Sequence, residues 1–316
     1  MTPDKPLADA EPRHWTAALP DRLLAFAQLS RFDRPIGWRL LLLPCWMGIA
    51  IVRIQDGFWP DDAIRAIAFF FGAILMRGAG CTYNDIVDVG IDAKVERTRG
   101  RPLPSGRVTR LQAWLWLAAQ CALGLVALLM LPRFAQLVAV ASLPLVAVYP
   151  FMKRVTWWPQ AWLGIVFSWG ALVGGAATSN SLMPETMLLY VGCFFWVIAY
   201  DTIYALQDKE DDALVGVRST ARLFAERWRE WTLGFYAAAL FFWAAAAYVA
   251  GAPWATFAAL AVVGVVLIWP ALQGPQDAKP ETALAAFKAN ALVGMGVVIA
   301  LALEPLWLNL RPMIGG

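Results

Sequence analysis

Apolar residues in this chain run in long blocks broken by short polar stretches, and neither a period of two nor a one-sided helical stripe dominates. Nine blocks have the roughly 17–23 residues that a helix needs to cross a bilayer. They lie at about 36–54, 61–82, 110–131, 134–151, 158–178, 184–206, 231–250, 254–272 and 284–306. Ahead of the first, PDRLLAFAQLSRFDRP sets Leu23, Leu24, Phe26 and Ala27 against Arg22, Arg31 and Arg34, which predicts a short amphipathic helix at the interface. Residues 1–19 are polar, lack the apolar core of a signal peptide and read as a flexible tail before one transmembrane domain over 20–310. The expected fold class is all-α integral membrane with nine transmembrane helices.

Composition agrees. The chain is 60% hydrophobic and 16% charged, against about a quarter charged in a soluble protein. Two soluble domains are excluded, and the lipid bilayer, not nucleic acid, is the expected partner. The cysteines Cys45, Cys81, Cys121 and Cys193 all fall in apolar stretches with no CxxC pair, so they read as small core fillers. His14 is the single histidine. Acid–base chemistry therefore falls to carboxylates, lysine or tyrosine.

Charge then sets the topology. Of 26 Lys and Arg residues, twenty lie in the N-terminal tail and the loops on its side. Only Arg53, Arg65, Arg133 and Arg311 lie on the other side, and Arg39 and Arg77 fall within spans. The bias predicts a cytoplasmic N-terminus. The long loops on that side also carry most of the acids.

The first acidic group closes the second span, in GCTYNDIVDVGIDAKVERTRGRPLPSG. If the helix continues past residue 82, Asn84, Asp88 and Asp92 lie at i, i+4 and i+8 on one face, while Asp85 points about 100° away. Hard oxygen ligands in open geometry suit Mg²⁺ that shares its shell with substrate phosphates. The alternative is a solvated helix end. The second group starts inside span six, AYDTIYALQDKEDDALVGVRSTARLF, where Asp201, Tyr204, Asp208 and Asp212 are spaced as one helical stripe. Asp201 lies deepest, and an ionisable residue in a span is costly and by default functional; pairing with an arginine between helices is the other reading. Each group follows an even span and precedes Arg97-Thr98 or Arg218-Ser219-Thr220, a weak repeat of four helices. Folded together, the two stripes are expected to face one another across a cavity. About five acids so close need divalent cations to stay ionised, and such cations attract a polyanion such as diphosphate.

NDIVDVGID followed by RTRGRPLPSG, VYPFMKR after span four and YDTIYALQDKEDD resemble the UbiA family of intramembrane aromatic prenyltransferases, most of all its 4-hydroxybenzoate polyprenyltransferases. RFDRPIGWRLLLLP, LMRGAG and FKANALVG extend the likeness over about residues 23–305. The resemblance implies nine helices around a central cavity open sideways to lipid. It also implies Mg²⁺ and polyprenyl diphosphate held by Asn84, Asp88, Asp92, Asp208 and Asp212, and a functional Arg154. Arg39 departs from the pattern and receives no role.

The reaction expected is electrophilic aromatic substitution at carbon 3 of 4-hydroxybenzoate, a membrane step of ubiquinone biosynthesis. Lys94, Lys153 and Arg154 are the nearby cations for the departing diphosphate. Asp88, Asp201 and Asp208 are candidate catalytic carboxylates, with Asp201 or Asp208 taking the proton. Arg77, Asn290 and Tyr204 are candidates for substrate contact. Another aromatic acceptor (homogentisate, a naphthoate or a porphyrin) is the alternative, and a transporter is a distant one, because the acids cluster at one face and not at midplane. The expected location is the bacterial inner membrane, with the active site on the cytoplasmic face, since no Arg/Ser-rich, acid-poor leader precedes the spans; the mitochondrial inner membrane is the less favoured alternative.

Overall fold

The computed structural model describes residues 14–95, 98–273 and 280–314. The expectation of a flexible tail falls largely on residues 1–13, outside the described residues. From there on, Trp15–Ala18 forms a 3-10 turn. The α-helices follow in order: α1 (Asp21–Leu29), α2 (Ile36–Val52), α3 (Pro60–Asp92), α4 (Arg110–Leu129), α5 (Arg133–Val140), α6 (Leu143–Val155), α7 (Pro159–Ser179), α8 (Pro184–Ala205), α9 (Lys209–Val215), α10 (Thr220–Phe224), α11 (Trp228–Val249), α12 (Trp254–Gln273) and α13 (Pro280–Ile314). No strand occurs among the described residues.

Among those residues, seven helical segments are long and apolar enough to cross a bilayer. Two shorter apolar helices, Ile36–Val52 and Trp254–Ile268, occupy the first and eighth predicted windows. The helical class and the order of the apolar segments thus follow the sequence, with two local differences. The window predicted at 134–151 is broken after Val140, and α6 restarts with Pro144 in its first turn. A proline inside a helix clashes with the carbonyl four residues back, here that of Val140, so α5 ends there. The second window, by contrast, continues without a break to Asp92. Its start is fixed by Pro60 in the first turn and by the Trp59 N–H donating to Asp62 Oδ2 at 2.9 Å, a cap that also places acid at the positive end of the helix.

The helices gather into two compact units, one from 1–39 with 71–127 and one from 40–70 with 128–316. In the first, Ala25, Leu29, Ile86, Leu103, Val108 and Ala113 form the buried apolar cluster. A polar hub sits in the same unit. Ser30 Oγ accepts from Trp116 Nε1 at 2.7 Å and Gln120 Nε2 at 2.9 Å, and donates to the Phe26 carbonyl at 3.0 Å. Thr82 Oγ1 donates to Gln120 Oε1 at 3.1 Å. Side-chain hydrogen bonds of this kind hold α3 and α4 where lipid supplies no hydrophobic drive between helices.

The second unit is built on α8, which lies against α7, α11 and α13. The best windows of α7 and α8 are 61% buried, against 11% for Arg133–Val155, which marks α7 and α8 as the interior helices and leaves the α5–α6 pair on the lipid side. Trp196 and Trp243 are fully buried and meet edge-on at 5.8 Å. Gly192 makes room for this, since a Cβ there would lie 2.5 Å from Trp243 Cδ1. The helix α2 approaches α7 through small residues. A Cβ on Gly48 would lie 2.7 Å from the Gly175 nitrogen, the close packing that small residues permit in membranes. At the Arg-poor end of this unit, Arg53 is buried and pairs with Asp62 (Nε to Oδ2 2.7 Å) beneath the Trp59 ring at 4.2 Å.

Candidate active site

In the first unit, the continuous α3 delivers Asn84, Asp88 and Asp92 along one face, as their spacing requires. Asp88 is fully buried, Asp92 nearly so and Asn84 half-buried. A solvated helix end is therefore the wrong description of this stripe: carboxylates held away from water need compensating charge or hydrogen bonds. Lys94, just beyond the helix, is exposed. Arg77 lies further along α3 and is half-buried. It donates to Cys81 Sγ, and its Nε rests where a Cβ on Gly37 would be 2.6 Å away, so the glycine makes room for the guanidinium.

Asp85 points off the stripe, and its role is structural support for it. Its Oδ1 accepts from Arg31 Nη2 at 2.6 Å and faces Arg101 Nη1 at 3.4 Å. The same Arg101 nitrogen donates to Asp92 Oδ2 at 2.8 Å. Arg31 sits at the end of α1 in the left-handed region, φ 57°, and its Nη1 also donates to the Gln28 carbonyl at 2.8 Å. Burial works to lower the Arg31 pKa, but the neighbouring groups, Asp85 foremost with Cys81 and Asp33, more than offset it, so the guanidinium is held charged, above its usual value. Thr98 Oγ1 donates to the Asp92 carbonyl at 2.8 Å and ties the following loop to the helix end. Its neighbour Arg97 lies outside the described residues.

In the second unit, the stripe read from Asp201 to Asp212 is not one helix. α8 ends at Ala205, Leu206–Asp208 is a 3-10 turn, and α9 begins at Lys209. A 3-10 turn advances about 120° per residue instead of 100°, so three residues rotate the following acids by about 60° relative to Asp201 and Tyr204. The apolar pattern that drives α8 into the core stops at Leu206, and the run QDKEDD passes through the 3-10 turn into the short helix α9, closed by Gly216 at φ 74°. Asp201, Tyr204, Asp208 and Asp212 are all half-buried. The Tyr204 ring lies 4.6 Å from that of Phe287.

The segments around Lys153 and Asp212 do come together. The Arg218 N–H donates to the Lys153 carbonyl at 3.0 Å, and Arg218 Nη1 to the Val155 carbonyl at 2.7 Å. Arg222 Nη1 donates to the Asp212 carbonyl at 3.3 Å and to that of Val217. The Thr220 N–H reaches Gln160 Oε1 at 2.9 Å, and the Thr220 hydroxyl meets that of Thr202 at 2.7 Å. Lys153 is half-buried and Arg154 exposed, its guanidinium 5.6 Å from the Phe151 ring.

Asn290 is buried among packed side chains. Its Oδ1 accepts from Trp196 Nε1 at 2.8 Å and the Tyr236 hydroxyl at 3.3 Å, and its Nδ2 donates to the Ala286 carbonyl at 2.9 Å. The amide is committed to protein partners. Reasoning from sequence missed Arg31, Arg101, Gln160 and Arg222 as members of these networks. The residue types were in view, but a contact between positions 54 apart, such as Arg31 and Asp85, leaves no periodic signal.

Among the described residues, no three His, Cys, Asp or Glu side chains converge as a ready metal cage. The donor chemistry nevertheless fits a hard cation, because the buried carboxylates of Asp88 and Asp92 share one helix face with the half-buried amide of Asn84.

Comparison with known proteins accords with this arrangement. The mitochondrial 4-hydroxybenzoate polyprenyltransferase of Drosophila melanogaster is 44% identical over 282 residues, covering 89% of this chain and 71% of that one. The Homo sapiens enzyme of the same name is 39% identical, covering 91% and 77%. Across such relatives the chain spans 61% to 77% of their length. Among solved structures, a UbiA homolog from Aeropyrum pernix K1 superposes with a TM-score of 0.65 at 25% identity, covering 85% of this chain and 96% of that one. One from Archaeoglobus fulgidus, bound to GPP and Mg²⁺, superposes with a TM-score of 0.61 at 19% identity, covering 88% and 99%. These relatives overturn the expected bacterial inner membrane, since the enzymes named are mitochondrial proteins of eukaryotes. The multi-pass membrane character stands on the helices themselves. The family's sequence profile matches residues 41–293, and the chain belongs to the UbiA prenyltransferase family.

Proposed function

We propose that this protein transfers a polyprenyl group from polyprenyl diphosphate to carbon 3 of 4-hydroxybenzoate in a Mg²⁺-dependent reaction within the membrane, a step of ubiquinone biosynthesis. The observation that carries this reading is 39–44% identity, over most of the chain, to enzymes named for that activity. The Archaeoglobus fulgidus protein of the same fold, solved with GPP and Mg²⁺, supports the cofactor and the class of prenyl donor.

In this reading Asn84, Asp88, Asp92, Asp208 and Asp212 are the residues that would hold Mg²⁺ and the diphosphate it accompanies. The bound metal supplies positive charge that stabilises the departing diphosphate. Lys94, Lys153 and Arg154 add charge-assisted hydrogen bonds to phosphate oxygens. The docking of the Arg218–Arg222 segment onto the end of α6 keeps Lys153 and Arg154 in register with the acidic loop. As the bond from the prenyl carbon to diphosphate oxygen breaks, ring carbon 3 bonds to that carbon, and the aromatic ring is restored by loss of a proton. We assign proton uptake to Asp201 or Asp208, recognition of the acceptor carboxylate to Arg77, and contact with the substrate to Tyr204. Asn290, its amide already shared among Trp196, Tyr236 and Ala286, acts on the site through packing. Membrane residence suits the donor, whose long tail gains about 0.8 kcal/mol per CH₂ buried in lipid, and a site closed to water protects the electron-poor prenyl carbon.

The test is product analysis in isolated membranes, with labelled polyprenyl diphosphate offered 4-hydroxybenzoate, homogentisate or a naphthoate. Prenylated hydroxybenzoate from the wild type, and none from Asp88→Asn or Asp208→Asn, is the expected result. Prenylation of a different aromatic alone contradicts the acceptor while keeping the chemistry.

A further inference from the structure

The contact of Arg101 with two carboxylates has a consequence for metal entry. Arg101 is held from behind. Its N–H donates to the Thr98 carbonyl at 3.0 Å, its carbonyl accepts from the Ser105 N–H at 3.0 Å, and Leu103 and Val108 beyond it are buried in the apolar cluster. Its side chain, 13% exposed, reaches back to α3 and uses a single nitrogen for both Asp92 and Asp85. The two bonds are unequal, 2.8 Å to Asp92 Oδ2 and 3.4 Å to Asp85 Oδ1. Asp85 is lopsided as well: Oδ1 serves Arg31 and Arg101, while Oδ2 is buried and accepts no hydrogen bond. A buried carboxylate oxygen left in that state retains a strong demand for a donor.

We propose that Arg101 is a resident counter-ion on Asp92 which a divalent cation must displace, and that Asp85 is the positioning residue that receives it. The proposal rests on the magnesium reading given above. A dication and a guanidinium on one carboxylate repel each other. A movement of about half an ångström turns the 3.4 Å contact into an ordinary hydrogen bond, and rotation of the planar guanidinium supplies a second N–H to Oδ2, the bidentate pairing that arginine favours. Asp85 keeps Arg31 throughout. Metal binding at the first stripe is thus an exchange of one cation for another, and the charge of the stripe stays compensated in both states.

The experiment uses the purified full chain in detergent without substrate, following its melting temperature as Mg²⁺ alone is added. Losing one charge-assisted hydrogen bond changes an equilibrium by about tenfold or more, so Arg101→Gln is expected to lower the half-saturating Mg²⁺ concentration by about that factor. Arg101→Lys, which keeps the charge, stays nearer the wild type. Asp85→Asn raises the half-saturating concentration, because Arg101 loses its receiving carboxylate, and the double variant follows Arg101→Gln. A half-saturating concentration in Arg101→Gln within about twofold of the wild type overturns the proposal, as does a double variant that behaves like Asp85→Asn. If Asp85→Asn does not fold, because Arg31 has lost its partner, the two Arg101 variants decide alone. A wild type whose melting ignores Mg²⁺ overturns the exchange, and the transfer assay above then judges the enzymatic reading separately.

Discussion

Replacing Asn290 by leucine separates a packing role from a substrate-contact role. The substitution keeps most of the volume but removes the acceptor of Trp196 Nε1 and the Tyr236 hydroxyl, along with one bond to the Ala286 carbonyl. Side-chain hydrogen bonds between membrane helices are worth about 0.6 kcal/mol on average, so two lost bonds set a floor near 1 kcal/mol. The floor is too low here. Asn290 is 3% exposed, Trp196 is fully buried and Tyr236 is 2% exposed, so water cannot replace the missing acceptor. A buried donor without a partner costs about 1–3 kcal/mol, which brings the expected loss to about 2–4 kcal/mol. For a chain of this size that is a fall in melting temperature of roughly 4–8 °C. The assay pairs thermal unfolding in detergent with the KM for 4-hydroxybenzoate at a temperature where the variant is folded. Lower stability with an unchanged KM is expected. A melting temperature within about 1 °C of the wild type together with a raised KM would refute the reasoning and return Asn290 to the acceptor site.

Three further outcomes follow from the same structure. Arg53→Ala leaves Asp62 with Arg65 as its one cation, beside the Trp59 N–H, in a buried setting and is expected to lower stability by about 3 kcal/mol, read as thermal unfolding, without changing substrate KM. Gly192→Val forces a side chain against the Trp243 indole and is expected to cost about 1–3 kcal/mol by overpacking, whereas Gly234→Ala, where a Cβ meets nothing within 4 Å, should leave the melting temperature unchanged. Arg222→Ala frees the Asp212 and Val217 carbonyls and is expected to lower kcat more than stability; a variant with full kcat would show that this loop needs no such tie.

The sequence made the order of the apolar segments legible because burial in lipid requires long uninterrupted runs, and that requirement leaves little ambiguity in this chain. It also made the phase of Asp85 legible: a continuous helix past residue 82 has to turn that carboxylate away from Asn84, Asp88 and Asp92. The same reasoning failed between Asp201 and Asp212, where spacing alone cannot reveal that Leu206–Asp208 tightens into a 3-10 turn. At Pro144 the signal was present, since a proline marks a first helical turn and predicts a break near Val140. Asn290 looked like a polar group awaiting a ligand. Its partners lie 94 and 54 residues away, at Trp196 and Tyr236, and only tertiary structure brings them to it. Arg53 and Asp62 face the same limit, because positive charge at a loop is read as topology until a buried partner is seen.

The most direct test of the central claim is the product formed by the purified protein in lipid nanodiscs from labelled polyprenyl diphosphate and 4-hydroxybenzoate, with and without EDTA. Prenylated 4-hydroxybenzoate that disappears with EDTA and returns with added Mg²⁺ is the predicted result. Undiminished product in EDTA, or no consumption of the diphosphate with any aromatic acceptor, would contradict it.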